Sequence, residues 1–203
     1  MSKIDLKKEL KHLYRPGGKQ VTIVDVPPLN YLMIDGRGDP NTAQEYKEAI
    51  EALYPVAYTL KFMIKNGKPG LDYVVMPLQG LWWTPDMADF SVEDKSAWLW
   101  TMMILQPELV TQAMLEEAIA QTAKKKNPPA LGKVRLDTLH EGLSAQIMYI
   151  GPYADEGPTI AGIHQFITDG GHQLRGKHHE IYLSDPRRAA PERLKTVIRQ
   201  PFA

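Results

Sequence analysis

The sequence predicts an α+β fold: an antiparallel sheet with helices on one face, assembled from two halves of the same strand–strand–helix–strand–strand order. Three observations carry this expectation. Short apolar stretches bounded by Gly, Pro and Asp come in pairs, as strands of antiparallel sheet do. Longer segments with apolar residues at helical spacing separate the pairs. The whole order then occurs twice, at about 20–106 and 131–203, with a connecting helix at about 107–126. Duplicated halves meet about a pseudo-two-fold axis, and a ligand groove is expected at that junction, on the face that helices leave open.

Residues 1–19 form a tail or short helix ending at the breaker "RPGG", and 20–203 a single domain. "QVTIVDVP" and "NYLMIDGRGDP" are the first strand pair, the second stopped by a Gly/Asp/Pro turn after Gly36. The first helix follows, with Tyr46, Ile50, Leu53, Ala57, Leu60 and Ile64 on one face. Thr42 and Glu45 have the capping-box offset that places its start, and Pro55 should kink it. "DYVVMPLQGLWW" and "AWLWTMMILQP" close the first half. The connecting helix begins at Pro107 or Glu108 and ends in Lys124, Lys125 and Lys126, a favourable helix C-terminus. "GKVRLDTLH" and "LSAQIMYIG" open the second half, with Gly151 where the first half has Gly36. A helix with Ile160, Ile163, Phe166 and Ile167 on one face stops at Gly170-Gly171, and "HHEIYLSDP" and "RLKTVIRQP" are the last strands.

Composition narrows the function. The chain has 203 residues, 43% hydrophobic and 24% charged, enough for a sizeable core. Its 24 basic and 24 acidic side chains balance, which argues against a nucleic-acid surface. No cysteine is present, so disulfides, thiolate metal sites and thiol nucleophiles are excluded. The charged opening "MSKIDLKKELKHLY" is not a signal peptide, and no apolar run reaches the roughly 20 residues of a membrane span. A cytoplasmic protein with no membrane partner is expected. There is no GxSxG elbow, Walker loop or strand-borne GxGxxG, and no cofactor is expected.

Two stretches remain. All four tryptophans lie in neighbouring strands: Trp82 and Trp83 in "GLWW", Trp98 and Trp100 in "AWLW". Alternation puts Trp98, Trp100 and Met102 on one face, joined by one of Trp82 and Trp83, whichever the register selects. They form either core beneath the helices or the wall of a ligand site. In "KHHEIYLSDPRR" the same alternation places His178, Glu180 and Tyr182 on one face and His179, Ile181 and Leu183 on the other. Glu180 is a solvated charge, a metal ligand, or a desolvated acid whose pKa burial would raise. Zinc takes three or four protein ligands, and beyond His178 and Glu180 only His164 and His172 are candidates, so no metal site is expected.

The segments "EGLSAQIMYIGPYADEGPTIAGIHQFITDGG", "HHEIYLSDPRR" and "ERLKTVIRQP" resemble the C-terminal half of GyrI-like small-molecule-binding proteins, and "PLQGLWW" and "WLWTMMILQP" resemble the stand-alone branch of that family. The resemblance implies a ligand groove with an acidic residue, here Glu180. It also implies similarity to cyclopropanoid cyclopropyl hydrolases, which detoxify DNA-alkylating natural products in an aromatic cage. Trp82 or Trp83, Trp98, Trp100, Met102 and His178 would then contact an aromatic small molecule. Glu180 would activate water, and Tyr149 or Tyr182 would stabilise the developing phenolate. The alternative is non-catalytic sequestration of aromatic, including cationic, compounds.

Overall fold

The computed structural model describes residues 3–67, 70–85 and 95–203. Its centre is an eight-stranded antiparallel sheet of β2 (Thr22–Val26), β3 (Leu29–Arg37), β5 (Leu78–Trp83), β6 (Leu99–Leu105), β7 (Arg135–Leu139), β8 (Gly142–Ile150), β9 (His178–Tyr182) and β10 (Lys195–Pro201). The spatial order is β2-β8-β10-β9-β5-β6-β3-β7. Read from either edge, that order matches the strands of one half to those of the other, with β9 and β5 at the centre. Each half sends its first strand to the far edge of its partner: β2 pairs with β8, and β7 with β3. The halves are therefore interlocked rather than merely abutted.

Two helices cover one side of this sheet. Helix α3 (Gln44–Asn66) lies over β3 and β6, and α5 (Gly157–Asp169) lies over β8 and β10. Strands β9 and β5 run between them. The apolar stripe of α3 is as the spacing predicts, with Leu53, Ala57, Leu60 and Ile64 buried, and Pro55 is accommodated without ending the helix. Its start differs from expectation. The Asp39 carboxylate accepts the Asn41 N–H at 2.9 Å, and the Asp39 carbonyl accepts the N–H groups of Thr42 and Ala43. That turn keeps Thr42 outside the helix, and the N-cap is Ala43. Helix α4 (Gln112–Lys125) packs on α3 and begins later than Pro107, because the Thr111 hydroxyl accepts the Met114 N–H and caps it there. The single strand expected over "DYVVMPLQGLWW" is broken at residues 74–77, leaving β4 (Asp72–Tyr73) to pair with β1 (Lys3–Ile4).

The opposite side of the sheet is not bare. Short helices α1 (Leu6–Glu9) and α2 (Lys11–Tyr14) fold against it, burying Leu13 and Tyr14. Among the described residues, no helix is long and apolar enough to cross a membrane.

Candidate functional site: a carboxyl pair beneath aromatic residues

Strand β9 is short, and its alternation decides which side chains meet. Glu180 lies opposite Gly80 of β5 and Ile198 of β10, His178 opposite Trp82, and Tyr182 opposite Thr196. Directly opposed residues share a sheet face. One strand further, Trp100 opposes Trp82 and Met102 opposes Gly80. All of these occupy the side that carries α3 and α5, since Tyr46 of α3 packs on Trp82 and Trp100, with ring centroids at 6.1 and 5.5 Å. The aromatic residues thus lie on the helix-bearing face, contrary to the expectation of a groove on the open one. The register also selects between the adjacent tryptophans. Trp82 faces Glu180, whereas Trp83 is on the reverse side with the Lys177 ammonium 3.3 Å from its ring centre.

Glu180 is held by two donors. His178 Nε2 lies 3.1 Å from Oε1, and the Tyr182 hydroxyl donates to Oε2 at 2.7 Å. The Trp82 indole N–H donates in turn to the Tyr182 oxygen at 3.1 Å. Gly80 makes this chain possible: a Cβ there would stand 2.7 Å from Trp82 Nε1, so the indole crosses its own strand only because the position is bare. Trp98 packs on Trp82 at 5.3 Å, and Tyr153 meets Tyr182 edge-on at 5.5 Å.

The electrostatics turn on a second carboxyl. Glu156, the N-cap residue of α5, is buried beside Glu180 and Thr196. Burial, then the charge of Glu180, pushes its pKa up to about 9. Burial also acts to raise Glu180, but the hydrogen bonds and charge of His178, with the Tyr182 bond, outweigh it and hold Glu180 below its ordinary value. Two adjacent carboxyls cannot both ionise cheaply, so the one with donors keeps the charge and its neighbour keeps the proton. At neutral pH the site therefore holds a carboxylate base and a carboxylic acid side by side. Burial and the charge of Glu180 also raise Tyr46, and burial with nearby carboxylates brings Tyr153 up to about 12, so both phenols stay protonated.

Of the residues expected from sequence, Glu180, His178, Tyr182, Trp82 and Trp98 converge. Trp100 and Met102 share the face but are fully buried, Trp100 with its ring over Gly36, where a Cβ would lie 2.1 Å from the indole. Trp83 lies on the other face. Tyr149 is on the correct face but two strands from Tyr182, across Thr196, and its hydroxyl donates to the Pro152 carbonyl at 3.0 Å. Sequence reasoning missed Glu156, Tyr46 and Tyr153, and also Lys95, whose ammonium lies 4.9 Å from the Trp98 ring centre. Glu156 carried a signal, an acid just before the "GP" that starts a helix. Tyr46 reads in the sequence only as part of an apolar stripe. Among the described residues no three acidic or histidine side chains converge as a metal ion needs. Two surface depressions of about 360 and 430 Å³ run along α3 and α4, lined by residues such as Phe62, Met63 and Gln121, away from Glu180.

The profile of the GyrI-like small-molecule-binding domain matches residues 19–202. A crystal structure of an uncharacterized conserved protein from Listeria innocua is 43% identical, with a TM-score of 0.91 over 99% of this chain and all of that one. A crystal structure described as a hydrolase from Listeria innocua is 42% identical, with a TM-score of 0.89 and full coverage of both chains. The C-terminal domain of EcmrR shares the fold at 12% identity, with a TM-score of 0.57 over 91% of this chain and 97% of that one. No curated protein matches.

Proposed function

The chain belongs to the GyrI-like small-molecule-binding domain family, and from that premise we propose that its site hydrolyses the cyclopropane ring of flat, aromatic, DNA-alkylating cyclopropanoids, a detoxifying reaction. The observation that carries this reading is the carboxyl pair, a charged Glu180 beside a protonated Glu156 beneath aromatic side chains. A small-molecule site built only for binding has no need to hold a base and an acid against each other. The description of a 42% identical protein as a hydrolase supports the same reading.

The reaction adds one water. Glu180 accepts a proton from water as the new C–O bond forms at the ring methylene. The strained C–C bond breaks, and its electron pair moves through the dienone to the carbonyl oxygen; that oxygen takes the Glu156 proton to become the phenol, and the water proton held by Glu180 passes to Glu156 and restores the pair. General-base action of this kind contributes about 10²–10⁴-fold. Tyr182 holds Glu180, its hydroxyl being committed to that carboxylate, and Tyr149 is committed to Pro152. Tyr46 and Tyr153 are the protonated phenols beside the carboxyl pair, and they are the donors for the growing phenolate.

The test is mass-detected chromatography of a duocarmycin-type cyclopropane incubated with wild type and Glu180→Gln. Wild type should add one water, and the variant should do so about 10²–10⁴-fold more slowly while still quenching tryptophan fluorescence on binding. Full activity in the variant removes Glu180 from the mechanism. Quenching without conversion by wild type would instead favour sequestration of aromatic compounds.

A further inference from the structure

Lys95 stands three residues before Trp98, at the approach to β6. Its ammonium lies over the ring of Trp98, 4.9 Å from the centroid. The Lys95 carbonyl accepts the Trp98 N–H at 3.2 Å, so a local turn fixes the two residues relative to each other. Trp98 packs on Trp82, whose indole supports Tyr182 and through it Glu180. The positive charge of Lys95 acts on both Glu180 and Glu156, stabilising their ionised forms. An ammonium over an aromatic face is the arrangement that an organic cation makes when it binds among aromatic residues. Here the chain supplies that ammonium itself.

We propose that Lys95 is the resident cation of this site and a specificity-determining residue: its ammonium occupies the face of Trp98 that a cationic ligand would need, so the site accepts uncharged aromatic molecules and rejects cationic ones. The inference rests on reading the cluster as a small-molecule site, and it names the charge class of its ligands. A cation arriving at Trp98 must expel a tethered ammonium whose local concentration far exceeds that of a free ligand. If Lys95 stays, the two positive charges repel in partly desolvated surroundings. An uncharged ring meets aromatic faces and a carboxylate that already has its counter-charge. Dienone cyclopropanoids are uncharged at the reacting ring, as this selection requires.

The test uses acridine and N-methylacridinium, nearly identical flat ligands, at a pH where acridine is uncharged. Equilibrium dialysis is run with wild type, Lys95→Met and Lys95→Arg, each checked by circular dichroism. Wild type and Lys95→Arg should prefer acridine, and Lys95→Met should gain roughly tenfold in affinity for N-methylacridinium while acridine changes by about twofold or less. Equal or tighter binding of the cation by wild type overturns the inference. An unchanged preference in Lys95→Met overturns it as well, leaving the small-molecule site itself intact. Failure of all three proteins to bind either probe overturns the site reading, and the role of Lys95 with it.

Discussion

The two sides of strand β9 each carry a buried glutamate, and they are built on opposite principles. Behind the strand, His179 Nδ1 meets Glu141 Oε1 at 2.9 Å, and Arg199 donates to Glu141 Oε2 at 2.9 Å. The network continues from His179 Nε2 to Gln79 at 3.0 Å and from Gln79 to the Tyr14 hydroxyl at 2.9 Å. Arg199 spends its remaining donors on Gln146 and the Leu13 carbonyl. Each oxygen of Glu141 has its own donor. In front of the strand, Glu180 also has two donors, but it is pressed against a second carboxyl that must hold a proton to stay there. A closed polar network specifies packing, here by fastening the N-terminal helices to the sheet. A network with a built-in conflict costs stability, and such conflicts persist where function requires them.

The largest expected effect comes from breaking the closed side. Burial favours a raised pKa for Glu141, but His179 and Arg199 hold it down at about 2. Glu141→Gln leaves the Arg199 guanidinium buried without an anion, and should cost about 3–5 kcal/mol in urea unfolding. A loss below about 1 kcal/mol would mean that the network is not the structural clamp it resembles. The two carboxyls also shape the pH profile in opposite senses. Glu141, lowered on folding, contributes stability that is present above its unfolded value near 4.5 and lost as pH falls towards 2. Glu156, raised on folding, does the reverse. Between about 4.5 and 9 the unfolded chain gives up that proton and the folded chain keeps it, so stability falls as pH rises.

Per pH unit, that alkaline decline is the next effect in size. One retained proton is worth up to about 1.4 kcal/mol per pH unit. Glu156→Gln keeps the neutral shape and removes the titration, so wild type and variant should match near pH 4.5 and diverge above it, the variant becoming the more stable. Denaturation midpoints measured across that range check this. Parallel profiles would place the proton elsewhere in the site.

Much of this contrast was legible in the sequence. Period-two alternation in "HHEIY" separates His178, Glu180 and Tyr182 from His179 without any knowledge of neighbours, because a strand has only two faces. The element order was legible for the same local reason. Pairing was not: that β2 crosses to β8 and β7 to β3 depends on contacts more than a hundred residues apart, which no local pattern encodes. The choice between Trp82 and Trp83 stays open in the sequence for that reason too, since register is a property of the pair of strands. Glu156 and Tyr46 reach the site from helices, and their meeting with Glu180 is a product of tertiary packing.

The smallest effect is also the most direct contrast between the faces, because Trp82 and Trp83 are neighbours in one strand. Trp82→Phe keeps an aromatic ring against Trp98 and Tyr46 but deletes the N–H that holds the Tyr182 hydroxyl. One neutral hydrogen bond is worth about 1 kcal/mol, so stability should fall by that order. Glu180 should also become less firmly held, and turnover of the cyclopropane should drop several-fold. Trp83→Phe leaves Lys177 an aromatic face on the other side of the sheet and touches none of the groups around Glu180. It should stay within about 0.5 kcal/mol of wild type and leave turnover unchanged. Equal effects from the two substitutions would mean that the chain from Trp82 through Tyr182 to Glu180 does not orient the carboxylate, and that β9 separates packing from chemistry less cleanly than its alternation implies.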